Sequence, residues 1–240
     1  MQPEHYWLAA AALPLAMMML VVGIAGGAHV CLPAELKYDY TAGCTACSNH
    51  ALQTISEMVA RNDTTAEAFT AVAALTVIGV AFIIEQVCDR LKKSSADTRP
   101  ICYALRVSVF VSACGMIGLT VWSLRVDSRL HSSFTALTIC TMLVQLCLCF
   151  DNLYEAGIVK KSYALGFTVP ALIAAVMYIV LYASRNAKDP TIASVDCDEY
   201  FDLKHYRHAI AQISFITLYF CAMCYISHAA ATHKDKYARV

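Results

Sequence analysis

LRVSVFVSACGMIGLTVWSL, residues 105–124, decides the fold. Its only formal charge is Arg106, at the second position of the stretch. An α-helix rises 1.5 Å per residue, so about 20 residues cross the ~30 Å of a bilayer's hydrocarbon. A charge at the centre of such a helix costs about 2.5–3.5 kcal/mol on the insertion scale, and a Leu or Ile returns only about 0.3–0.6. An uncharged centre of this length therefore reads as a membrane span.

The same test applied outward in both directions finds further spans at 7–28, 67–87, 132–150, 164–184 and 207–230, six with 105–124. Every centre is free of charge, and the exceptions stand at edges: Glu85, Arg106 and Arg207, which can snorkel. Composition agrees, with 59% hydrophobic residues, 15% charged and a mean hydropathy of +0.55, far from a soluble domain of 240 residues. The expectation is an all-α, polytopic, six-helix membrane bundle forming one domain over 1–240. Net charge is zero, and nothing suggests a nucleic-acid partner. The first span is read as retained, because its apolar run from Trp7 to Ile24 exceeds a signal-peptide core and MQPEH lacks a basic n-region.

Six spans place both termini, the second and fourth loops and the tail 231–240 on one side, opposite the loops 29–66, 125–131 and 185–206. The first side holds ten Lys and Arg against seven Asp and Glu, and the other eight against eleven. Basic residues mark the cytosolic side, so both termini are expected there.

Sidedness then sorts the twelve cysteines. Cys31, Cys44, Cys47 and Cys197 fall in exoplasmic loops, where thiols oxidise, and the rest lie in spans or near their cytosolic ends. Two disulfides knitting the first and third exoplasmic loops are expected, with three pairings open. CTAC at 44–47 has the CxxC spacing of thiol oxidoreductases, but no βαβ pattern surrounds it. Zinc on Cys31, Cys44, Cys47 and His50 would lack the second ligand pair of a knuckle. DCDEYFDLKH at 196–205 clusters carboxylates without a calcium-loop register and reads as a solvated acidic face. Asn62 is the only N-x-[ST] acceptor, close to the second span.

Transporters and proton relays carry ionisable groups inside their spans, and the central thirds here have none. His131 and His208 open the fourth and sixth spans on the exoplasmic side. They are candidates for pH sensing or head-group contact, against the plainer reading of a histidine that satisfies a helix end or loop carbonyl. Gly23 and Gly27 form a small-xxx-small pair, and Pro170 is a candidate kink in the fifth span. No nucleophile elbow, P-loop, HExxH or paired carboxylates are present in the sequence, so an enzyme is not expected and no cofactor or metal is implied. DRLKKSSADTR at 89–99 is a basic, serine-bearing loop suited to anionic lipid or phosphorylation. YARV, closing the tail, gives Tyr237 and Val240 the Tyr-x-x-apolar form of a sorting signal.

The whole arrangement resembles the six-span damage-regulated autophagy modulator (DRAM) family, and within it the transmembrane protein 150 branch. The likeness is carried by HVC at 29–31 with the Tyr-containing stretch to Cys44, ACGMIGL at 113–119, RVDSRLH at 125–131 and YRHAIAQ at 206–212. His131 and His208 match the family's recurring histidines. Two features depart from it: RNDTTAEAFTA lacks the family's Pro-Glu-Ser, and AQISF lacks an aromatic expected early in the sixth span.

The resemblance implies a non-enzymatic adaptor or regulator at the plasma membrane or the endosomal and lysosomal membranes. Membrane lipids, a phosphatidylinositol 4-kinase complex and the autophagy machinery are the implied partners, and Lys92, Lys93, Lys160 and Lys161 are candidate cytosolic contacts. Two alternatives follow from other branches: a mechanosensitive channel or channel subunit, for which Gln145 or Gln212 would line a seam, and a lipid (GPI-anchor) remodelling factor.

Overall fold

The computed structural model describes residue 55 and residues 63–94, 98–122, 128–186 and 206–232. Among these the chain is all-helical: α1 Asp63–Ser94, α2 Arg99–Val121, α3 Ser128–Glu155, α4 Lys161–Asn186 and α5 Tyr206–Thr232. All five are long and apolar enough to cross a membrane, which marks an integral membrane protein. They coincide with the second to sixth spans read from the sequence. The first span, 7–28, lies outside the described residues.

Each helix begins before its hydropathy window and four of the five also end after it, for local reasons. α1 continues from 87 to Ser94 because Cys88 and Leu91 still face the core while Asp89, Lys92 and Lys93 face outward, an amphipathic extension that an average over 19 residues dilutes. α2 begins at Arg99–Pro100, where proline's fixed φ and missing N–H suit the first helical turn. α3 closes on Gly157, whose φ of +69° lets Ile158 N–H bond Leu153 C=O at 2.9 Å and Gly157 N–H bond Tyr154 C=O at 2.9 Å. That 6→1 and 5→2 pair is a Schellman cap, and it needs a residue that tolerates a left-handed backbone. α4 continues through Pro170.

Connections of four to six residues make α1, α2, α3 and α4 successively antiparallel. α1, α3 and α5 form the centre, with half of each apolar window buried, whereas α2 has 33% and α4 22%, so these two flank the bundle. α2 packs on α1 and α3, and α4 on α3 and α5. Outward-facing Leu172, Ile173, Val176 and Val180 on α4 are what a lipid-facing helix requires.

Lipid tails are as apolar as leucine, so helices here associate by close packing and interhelical hydrogen bonds. The α2–α3 contact shows the first. A Cβ at Gly118 would run into the ring of Phe134, and one at Gly115 into Thr138 Oγ1. Three threonine hydroxyls of α3 are satisfied within their own helix: Thr135 donates to His131 C=O, Thr138 to Phe134 C=O and Thr141 to Leu137 C=O, at 2.6–2.9 Å.

Candidate functional site

Three polar regions are built on this bundle: a core, an end carrying lysines and an end carrying histidines. In the core, the Tyr219 hydroxyl of α5 donates to Gln145 Oε1 of α3 at 2.5 Å, with both side chains wholly buried. Gln145 Nε2 has no hydrogen-bond partner among the described residues. Ser227 of α5 donates to Gln86 Oε1 of α1 at 2.9 Å. Gln212 Oε1 accepts from the Ile55 backbone N–H at 2.9 Å. Gln145 and Gln212, the residues a conducting seam would use, are thus hydrogen-bonded inside the packing.

At the lysine end, the last turn of α1 brings Lys92 and Lys93, and the start of α4 brings Lys160 and Lys161, all exposed. The antiparallel course of the chain carries these two pairs to one end of the bundle, on different helices. Lys92 also meets Asp89 at 3.2 Å. One turn deeper, Arg106 of α2 grips Glu85 of α1 through Nε and an Nη, both at 2.7 Å, the fork-to-fork geometry that makes arginine–carboxylate pairs directional.

Beneath that pair, the Cys88 and Cys102 thiols point at one another's backbone carbonyls, at 4.0 and 3.9 Å. Phe150, Tyr163, Phe167 and Tyr225 stack where α3, α4 and α5 meet, with centroids 5.1–6.3 Å apart. They fill the space between the helices and give that end a rigid floor.

At the other end, His131 and His208 are both buried. His131 Nδ1 lies 3.0 Å from Trp122 C=O, so that nitrogen carries the proton and satisfies a carbonyl left over where α2 ends. The Trp122 ring stacks on Phe134 at 5.3 Å, and Phe134 occupies the gap left by Gly118. His208 stacks on Tyr178 of α4 at 4.5 Å with 17° between planes. Each histidine therefore ties the start of its own helix to the neighbouring helix.

The disulfide candidates Cys31, Cys44, Cys47 and Cys197, the sorting pair Tyr237 and Val240, and Asn62 lie outside the described residues. The eight cysteines that are described are all free thiols on α1, α2, α3 and α5. Among the described residues no group of three His, Cys, Asp or Glu is placed to hold a metal ion.

Two pairings escaped the sequence reading. Glu85 and Arg106 read as separate edge charges in the sequence, although they stand on consecutive helices within about two and a half turns of the ends that the short connection joins. Tyr219 carried no signal, because its partner is 74 residues away on a helix that is not its sequence neighbour.

Comparison with known proteins returns no matching family, no matching curated protein and no matching solved structure.

Proposed function

We propose that the chain is a non-enzymatic multi-pass adaptor or regulator, similar to the DRAM and transmembrane protein 150 proteins, with six spans and both termini in the cytosol. It acts in phosphoinositide-kinase recruitment at the plasma membrane or in autophagy modulation at endosomal and lysosomal membranes. The observation that carries this reading is the contrast between interior and end. The interior is packed with side chains that bond one another, while Lys92 and Lys93 on α1 and Lys160 and Lys161 at the start of α4 are exposed at one end, where stacked aromatics join α3, α4 and α5. Such an end offers a fixed pattern of positive charge to an acidic partner surface or to anionic headgroups.

The test is recruitment of a fluorescent phosphatidylinositol 4-kinase complex to membranes bearing the chain, with all four lysines changed to Gln. Loss of recruitment at equal surface level supports the proposal. Full recruitment by the quadruple variant removes these lysines from the reading.

A further inference from the structure

The outward face of the α1–α2 hairpin has the layout of an amphiphile. Residues 78, 82, 85, 89 and 92 recur at alternating steps of four and three and share one face of α1. Residues 99, 103, 106 and 110 do the same on α2. From the lysine end inward this surface presents Lys92 with Arg99, Asp89 with Tyr103, Glu85 with Arg106, and then Phe82, Phe110 and Ile78. Tyr103 is 71% exposed and Phe110 69%, and the Glu85 and Arg106 side chains are about half exposed although bonded to each other.

Depth gives the charges their meaning. Trp122 stands at the opposite end of α2, at the level interfacial aromatics occupy, and about 20 residues of helix span the hydrocarbon. Counting back along α2 puts the near boundary close to Tyr103 and sets Arg106 about one turn inside it. A guanidinium has five N–H donors, of which Glu85 takes two. The others have no partner among the described residues, at a depth where water is scarce and unsatisfied donors are costly. The abundant acceptors within reach of a snorkelling arginine there are the phosphodiester and ester oxygens of a lipid. Charge fits as well: Lys92, Arg99 and Arg106 against Glu85 and Asp89 leave one positive charge on this face, which matches one phosphodiester.

We propose that this face holds one glycerophospholipid of the adjoining leaflet. Its phosphodiester accepts from the outward N–H donors of Arg106, its headgroup lies beside Lys92 and Asp89, and an acyl chain runs along Phe82, Phe110 and Ile78.

Native mass spectrometry of the full chain in detergent tests this, with phosphatidylcholine, diacylglycerol of the same chains, and inorganic phosphate as probes. Wild type is expected to keep one phosphatidylcholine. E85Q, which frees the guanidinium, is expected to keep it equally or better, and E85Q/R106Q, a neutral hydrogen-bonding pair, to lower occupancy at least tenfold. Diacylglycerol and phosphate are expected not to compete. Unchanged occupancy in the double variant, equal binding of diacylglycerol, or an equal loss in R129Q at the opposite end would overturn the proposal.

Should E85Q/R106Q fail to fold, Y103W decides. Its added fluorescence is expected to be quenched by one equivalent of phosphatidylcholine brominated near the headgroup, and not by diacylglycerol brominated alike. Equal quenching by the two refutes the site.

Discussion

Tyr219→Phe removes one oxygen from the centre of the bundle and is expected to be the most destabilising single change in the Gln145–Tyr219 pair. The hydroxyl gives Gln145 its only hydrogen bond among the described residues, and both side chains are wholly buried. Without it the whole amide is orphaned, at a cost of about 1–3 kcal/mol for a buried polar group, with the lower part of that range expected in a membrane interior. The ring contacts with Phe215 at 6.5 Å and Phe220 at 5.5 Å survive the change, so packing contributes little to the loss.

Gln145→Leu acts differently. It removes the Nε2 that already lacks a partner and leaves a single hydroxyl unbonded, so it is expected to cost under about 1 kcal/mol. The double variant Q145L/Y219F replaces the pair by apolar groups of similar shape and is expected to fall within about 0.5 kcal/mol of wild type, or above it. Reversible unfolding of the purified chain in mixed micelles, read by tyrosine-independent helicity, gives the three values. Additive costs in the double variant would refute the reasoning, because uncoupled sites add and bonded partners do not.

Two further predictions concern packing and reactivity. Gly118→Ala drives a methyl into the Phe134 ring and is expected to cost about 1–3 kcal/mol in the same unfolding assay, with F134L recovering part of the loss; a neutral G118A would contradict the close α2–α3 approach. Cys88, Cys102 and Cys149 are buried, whereas Cys114 and Cys140 are exposed on the bundle surface. An apolar carbene precursor dissolved in the lipid, read by peptide mass mapping after photolysis, is expected to label the exposed pair at least tenfold more than the buried three in the folded protein; comparable labelling would place the buried thiols elsewhere.

Spans were legible in the sequence because the bilayer imposes a length and removes charge from the centre, and both can be counted in one dimension. That is why 132–150, 164–184 and 207–230 fall inside α3, α4 and α5, and why 105–124 overlaps α2 as far as Val121. Their ends were not legible to the same degree. Hydropathy measures transfer to lipid, and a helix continues into the headgroups wherever one face still has a neighbour, as Cys88 and Leu91 do.

Pairings between helices separate further into two kinds. Glu85 with Arg106 joins consecutive helices across a short connection, which confines the search for a partner to the first turns of the next helix. Gln145 with Tyr219 and Gln86 with Ser227 depend on which helix lies beside which, and nothing in a single chain's periodicity fixes that neighbour. The glycines at 115 and 118 formed part of a family-like stretch, and their physical role emerged only against Phe134 and Thr138.

The adaptor reading depends on the lysine end facing the cytosol with both termini beside it. The most direct measurement is antibody access to small epitopes at each terminus in intact and in permeabilised cells, with an exposed surface protein as control. The expected result is that neither epitope stains in intact cells and that both stain once the plasma membrane alone is selectively opened. Staining of one terminus in intact cells, or protection of either terminus after selective opening of the plasma membrane, would contradict six spans with a cytosolic basic end.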